Sequence, residues 1–366
     1  MKTYNHLLEK ICDKENVRKA LHRAAKGKKQ KRSVKYALEN EEEVIEKISQ
    51  ELKTLSWMPP KIHTARSRND GLQLKKRMVV CPEFIREQIV HHAILAVLYP
   101  LFIKKFYRHS CGSVKGRGVT CAVLHIAKQL KGKPKKTKYV CKMDIRKFFA
   151  SVRPSFVFKE LRKTIRDKRV LILLSRILRY NTLIFNGERI KNGLPIGFYT
   201  SPFFANVVLN SLDHEIKEKC GVFLFVRYMD DILLSDSNKR RIKRTCKYIM
   251  QKLGKIKLVL KAIPQCHILK TITFLGHKFY RDKVILGRKL FLKSKRQFCR
   301  ASKRKMTVYL ARKLLSYSGY FKNIDMGLAF KKYVSNYVCL RYARFLISFY
   351  ERKNNEICKI RIRQTS

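Results

Sequence analysis

The stretch "FLFVRYMDDILLSD", residues 223–236, places two adjacent acids, Asp230 and Asp231, between two apolar runs. Runs this short, rich in branched and aromatic residues, predict two strands, with the acids at the tip of the hairpin between "VFLFVRY" and "ILLS". Neighbouring carboxylates oppose each other's ionisation unless a cation offsets them. A divalent metal is the natural counter-ion, because Mg2+ takes one or two carboxylates together with substrate phosphates. Side chains alternate along extended backbone, so one hairpin tip does not direct both acids equally at one ion, and a third acid is required. Asp144 fills that role at the end of "KYVCKMDI" (138–145), a short and mostly apolar strand. Acids so placed can hold two ions about 4 Å apart for phosphoryl transfer. A lone Asp-Asp pair reads better as a turn, and the conjunction with Asp144 reverses that reading in favour of a site. By alternation, Asp230 is the acid expected to share ions with Asp144, with Asp231 contributing less directly.

The rest of the chain is as basic as this site is acidic. Its 366 residues hold 84 Lys and Arg against 26 Asp and Glu, a formal charge of +58, and 45% hydrophobic residues mark it as globular. Such a fold repels itself unless a polyanion neutralises it, so nucleic acid is the expected partner. The basic segments are dispersed, at 26–32, 131–138, 239–244 and 293–305. That dispersal suits a groove better than a disordered arm, although a solvated basic surface is the plain alternative. Eleven cysteines without CxxC spacing predict free thiols in a reducing cytoplasm. No apolar run approaches the length of a membrane span, so no membrane association is expected.

Periodicity outlines the elements. Helices are expected over 5–25 and 40–55, separated by the basic linker at 26–32. "RSRNDGLQLKKRMVVCP" predicts a hairpin turning at "NDG", and "TLIFNGERIKNGLP" another turning at "NGE". "EFIREQIVHHAILAVLYPLF" predicts a helix running to Pro100, and "SPFFANVVLNSLDHEIKEKCG" one capped by Ser201 and stopped by Gly221. "KRRIKRTCKYIMQKLGKIKLVL" predicts a helix and a strand, and 271–292 a further set of strands. From about 293 onwards the chain reads as helical. The sum is an α+β sheet with appended helices.

Taken together, "DIRKFF" (144–149), "GLPIGFYTSPFFANVVLNSLDHEI" (193–216) and "YMDD" (228–231) resemble the palm of a reverse transcriptase. The likeness extends through "RMVVCPEFIREQIVHHAILAVLYPLF", "HSCGSVKGRGV", "FLGHKFY" and "LLSYSGYFKN", which is nearly the whole chain. It is strongest with bacterial retroelement enzymes, the group holding diversity-generating retroelements, group II introns and retrons. The resemblance implies a right-hand polymerase of fingers, palm with antiparallel sheet, and helical thumb. Residues 1–60 would be an N-terminal helical extension, 61–137 and 155–190 the fingers, 138–154 and 191–290 the palm, and 291–366 the thumb.

The resemblance also implies site roles. Asp144, Asp230 and Asp231 become the catalytic, metal-binding triad, with the Ile145 carbonyl as a further ligand. Phe149 falls at the steric gate against a ribose 2′-hydroxyl, whereas Phe148 reads as core. Lys76, Arg77 and Arg86 fit the cations that hold the incoming triphosphate, and a plain phosphate-backbone or solvent role fits the basic residues at 75–77 as well. Ile196 and Gly197 would contact the nascent base pair. Many relatives carry Gln at the position of Ile196, and an apolar residue there resembles the error-prone diversity-generating branch, but Ser201–Pro202 departs from that branch. Phe274, Leu275, Gly276 and His277 resemble a primer grip, against an ordinary strand and turn. Lys257 or Lys261 would be the acid that protonates pyrophosphate. His91 and His92 read as packed or surface residues, and Tyr317, Tyr320 and Phe321 either stack on nucleic acid or pack in a core.

The function so implied is RNA-directed DNA polymerisation, making cDNA from a cognate structured RNA with dNTPs and two Mg2+ ions, or Mn2+ in their place. RNA/DNA heteroduplex is the implied product partner, an accessory protein a further one, and a retroelement or antiphage defence system the context. Two rivals remain: an RNA-dependent RNA polymerase, against which Phe149 argues, and a non-catalytic RNA-binding protein, against which the intact acids argue.

Overall fold

A four-stranded sheet organises the first part of the molecule, in the spatial order Leu224–Tyr228, Asp231–Asp236, Tyr139–Asp144 and Cys266–Ile268. This computed structural model describes residues 3–363, except 61–62, 70–75, 180–182, 186–187, 191–192, 322–323 and 337. The Asp231–Asp236 strand is central and pairs antiparallel with both neighbours. Ile232, Leu233 and Leu234 are all buried, which is why this strand is a continuous apolar run rather than an alternating one. The Ser201–Glu218 helix packs near it, burying Phe203, Phe204, Val207 and Val208. The Lys239–Lys255 helix contributes Ile242, Cys246, Ile249 and Leu253, spaced three and four apart as one apolar stripe.

Contacts divide the chain into two units. The first comprises Met1–Gly118 with Tyr139–His267, and the second Val119–Lys138 with Ile268–Ser366. At the start of the first unit lie helices Leu8–Cys12, Lys14–Ala25, Arg32–Glu39 and Glu41–Lys53. The helix expected over 5–25 is thus broken at Asp13, whose side chain caps the second piece by accepting from the Asn16 N–H at 2.9 Å. The basic linker runs directly into the third helix. Trp57 is buried beyond the fourth, and its indole N–H donates to the Arg86 carbonyl at 2.7 Å.

Several expectations are corrected. The helix through Pro100 begins as a π-helical turn, Phe84–Ile89, and then runs as an α-helix over Val90–Ile103. Pro100 lies near its end, where the missing N–H removes one bond without breaking the helix. Thr200, not Ser201, is the N-cap residue of the Ser201–Glu218 helix, and the Ser201 hydroxyl turns back to the Pro195 carbonyl at 2.6 Å. The strand expected in "KIKLVL" is a single antiparallel bridge between Ile145 and Leu260. Both predicted hairpins form, as Thr64–Asn69 with Lys76–Cys81 and Leu183–Phe185 with Glu188–Ile190. The tips at "NDG" and "NGE" fall on or next to residues outside those described.

The second unit holds the Val119–Gly132 helix, a three-stranded antiparallel sheet (Ile272–Phe274, His277–Phe279, Val284–Leu286) and the C-terminal helices. Residues 288–292, expected as strand, open the Arg288–Ser302 helix. Leu286, Leu290, Phe298, Leu314 and Phe321 form its core, with Tyr317 and Tyr320 packed against them. The core role for these three aromatics therefore prevails. Cysteines are free thiols among the described residues. No helix among those residues is long and apolar enough to cross a membrane.

Candidate active site

Strand register brings the acids together. Asp144 ends its strand directly opposite Asp231, the first residue of the central strand. Cross-strand partners lie on the same face of a sheet, so the register sets Asp231 beside Asp144. Asp230 sits in the two-residue turn, and its carbonyl accepts from the Ile145 N–H at 3.1 Å. A second strap comes from residues 259–261: Arg146 N–H donates to the Val259 carbonyl at 2.9 Å, and Lys261 N–H to the Asp144 carbonyl at 2.8 Å. Ile145 is buried between these supports.

The electrostatics follow from crowding. Burial pushes the Asp231 carboxyl up to about 6; Lys142 pulls it down, while Asp230 and Asp144 push it up. The Lys142 ammonium lies 3.9 Å from Asp231, and the Lys261 ammonium 3.4 Å from Asp144. Of the two lysines singled out from the sequence, Lys261 is the one that reaches the triad. Among the described residues, no three His, Cys, Asp or Glu side chains are gathered closely enough to hold an ion. Asp144 and Asp231 each face a lysine. The donor set, carboxylate and carbonyl oxygens, fits a hard divalent cation.

The loop "GLPIG" packs on the turn that follows Asp144, at Phe149 and Ala150. Leu194 N–H donates to the Phe149 carbonyl at 2.6 Å, and Val80 N–H to the Ile196 carbonyl at 2.7 Å. Gly197 has φ +119°, and a Cβ there would lie 2.1 Å from the Val80 carbonyl oxygen. Only glycine permits this approach. The structure thus joins Phe149, Ile196 and Gly197 to the strand that carries Lys76 and Arg77. The side chains of those two lie outside the described residues. Phe149 is half-buried, in edge contact with buried Phe148. Arg86 is exposed on the π-helical turn, with its guanidinium 3.5 Å from the Met58 carbonyl. Phe274, Leu275, Gly276 and His277 lie in the second unit as a tight hairpin turn. Leu275 and Gly276 are both left-handed, and His277 is buried with its ring 2.9 Å from the Leu275 carbonyl.

Sequence reading missed the group behind the "YMDD" turn: Arg227, Asp213, Asn206, Ser110 and Gly112. The signal was present, because Arg227 is the one charge inside the "FLFVRY" run, and a charge in a buried strand requires a partner. That partner is Asp213, with Arg227 Nη2 to Asp213 Oδ2 at 2.5 Å and both side chains 1% exposed.

The chain is similar to several known proteins. Retron Ec73 reverse transcriptase of Escherichia coli is 29% identical over 209 residues, covering 52% of this chain and 63% of that one. Protein YkfC of Escherichia coli is 22% identical over 240 residues, covering 56% of this chain and 63% of that one. The chain spans less than two thirds of the length of the curated relatives it matches. Among solved structures, telomerase from Candida tropicalis in complex with a fragment of telomeric RNA aligns with a TM-score of 0.51 at 13% identity. It covers 75% of this chain and 56% of that one. That likeness is one of fold, and it supports the α+β right-hand polymerase class. Residues 68–279 match the family described as reverse transcriptase (RNA-dependent DNA polymerase), and enzymes of that family generally use divalent metals. With its acids in register and its matching motifs in order over more than half its length, this chain belongs to the reverse transcriptase family.

Proposed function

We propose that this protein is an RNA-directed DNA polymerase that copies a structured cognate RNA into cDNA. The observation that carries the reading is the register of Asp144 with Asp231, joined through Phe149 to the "GLPIG" loop. Asp144, Asp230, Asp231 and the Ile145 carbonyl would hold two Mg2+ ions, or Mn2+. Bound there, such ions supply Lewis-acid activation of a primer 3′-hydroxyl and neutralise the departing pyrophosphate. The chain's own residues do the rest. Phe149 excludes the ribose 2′-hydroxyl, and Ile196 with Gly197 lies against the nascent base pair. Lys76, Arg77 and Arg86 bind the triphosphate, and Lys261 is placed to donate a proton to the leaving group. Residues 274–277 support the primer end, and the basic C-terminal helices follow the A-form backbone of the heteroduplex.

In this reading 61–137 and 155–190 serve as fingers, 138–154 and 191–290 as palm, and 291–366 as thumb. The free thiols suit a reducing cytoplasm. The retron relative supports a retroelement setting, and the proposal extends to an antiphage defence role with an accessory protein as a further partner. The test is extension of a primed RNA template by the purified chain with dNTPs or NTPs. Wild type is expected to extend with dNTPs far better than with NTPs, and Asp230→Asn to lose at least about a hundred-fold in rate. Equal use of NTPs would transfer the assignment to an RNA polymerase. RNA binding without extension by either protein would remove the enzymatic reading.

A further inference from the structure

The "YMDD" turn is strained, and the structure contains a device that holds it. Tyr228 and Asp231 are paired, so Met229 and Asp230 form a two-residue hairpin turn. Met229 has φ +55°, a position where such turns favour glycine. A non-glycine residue stays in that region only when its surroundings over-determine it. Met229 itself is buried, and its backbone N presses on Gly112, where a Cβ would lie 2.7 Å away.

Arg227 is what surrounds it. All five N–H groups of its guanidinium are engaged. Nε donates to Asp213 Oδ1 at 2.7 Å, and Nη2 donates to Asp213 Oδ2 at 2.5 Å and to Ser110 Oγ at 3.2 Å. Nη1 donates to Asn206 Oδ1 and to the Met229 carbonyl, both at 3.2 Å. Ser110 and Asn206 close the ring: Ser110 Oγ donates to Asp213 at 2.5 Å, and Asn206 Nδ2 to the Gly112 carbonyl at 2.9 Å. The Arg227 backbone is clamped as well, its N–H donating to the His109 carbonyl and its carbonyl accepting from Cys111 N–H. A buried guanidinium needs all its N–H groups satisfied whatever its role, so what marks this one is the bond to the Met229 carbonyl, which reaches the turn.

We propose that Arg227 is a positioning residue, a strap that ties the Met229–Asp230 turn to Asp213 and so fixes the acids Asp230 and Asp231 for metal binding. The strap rests on the polymerase reading for its purpose, and the test separates the two. The informative variant is Arg227→Met with Asp213→Leu, which removes both buried charges together; such exchanges often leave folding intact. Three quantities are read on the full chain: thermal melting, Mn2+ binding by the EPR signal of the free ion, and kcat and KM for dNTP on a primed RNA template. The double variant is expected to melt within a few degrees of wild type and to bind RNA as well. Its half-saturating Mn2+ should rise about ten-fold, and its kcat should fall about ten-fold with KM little changed. Met229→Gly added to it should recover a large part of both, because glycine adopts the turn without a strap.

Wild-type Mn2+ affinity in the double variant, or a defect that Met229→Gly leaves untouched, overturns the proposal. Should the double variant not fold, Asn206→Ala decides, since it leaves the ion pair whole and removes an acceptor from the Nη1 edge that reaches the turn. A smaller rise in half-saturating Mn2+, about three-fold, is expected from it, and none would overturn the proposal. If wild type extends nothing, the polymerase reading fails while the Mn2+ measurement still decides the strap.

Discussion

His91 is enclosed beside Phe198, with ring centroids 5.1 Å apart, and neither of its nitrogens meets a protein hydrogen-bond partner. Burial, reinforced by neighbouring His92 and His63, lowers its pKa from 6.5 to about 3. The unfolded chain therefore takes up the proton more readily than the folded one. The stability this neutral ring permits is whole above about pH 6.5 and is lost as the pH falls towards 3. Between pH 7 and pH 5 the loss should be about 2 kcal/mol. His91→Phe should remove that part of the acid dependence, as measured by urea unfolding at the two pH values; an unchanged difference between them would count against it. The position matters for the site because the His63 ring also meets Phe198, tilted by 60° at 5.2 Å, and Phe198 follows the Gly197 that touches Val80. "HH" in the sequence gave no sign of which ring is buried. His91 and His92 are adjacent on one helix, and only packing sends one inward and leaves the other stacked on Tyr199 at 3.7 Å.

Among elements, the joints between helices were the least legible features. Asp167 shows why. It is 6% exposed and serves two helices at once: Oδ2 accepts from the N–H of Leu7 and Leu8 at 2.8 and 3.1 Å, and Oδ1 from Arg169 and Val170 at 3.0 and 3.4 Å. Burial raises its pKa, but the backbone donors of Leu8, Leu7 and Val170 and the charge of Arg169 outweigh that and leave it lowered. The residue thus pins the first helix, Leu8–Cys12, to the start of Lys168–Arg179, 160 positions away. Asp167→Ala should cost about 2 kcal/mol or more, since it loses a cap and orphans buried N–H groups. Asp167→Asn should cost less, and equilibrium unfolding of the two variants checks the order. Strands behaved differently. "KYVCKMDI" and "FLFVRYMDDILLSD" announce themselves by composition, whereas the pairing of Asp144 with Asp231 depends on register, which neither strand specifies alone.

For the whole molecule, charge makes the clearest prediction. A protein of +58 that grips an RNA backbone should release counterions, so the logarithm of its affinity should fall linearly with the logarithm of salt concentration. Six or more phosphate contacts correspond to a slope of about −5 or steeper, and to a loss of about a thousand-fold between 50 and 200 mM salt. Fluorescence anisotropy with a labelled RNA hairpin measures it, and a slope near zero would mean that the basic surface is solvated rather than engaged. By itself the sequence determined the order of its motifs, with their acids and their glycines, its excess of positive charge and the α+β class. These follow from residue type and local period, which need no knowledge of distant neighbours. The tertiary structure alone decided which acid faces Asp144, that Lys261 rather than Lys257 reaches it, and that Arg227 ties Asp213 and Asn206 to the "YMDD" turn. Each of those is a contact between segments far apart in the chain, set by register and by the need of a buried charge for a partner, and no local pattern encodes it.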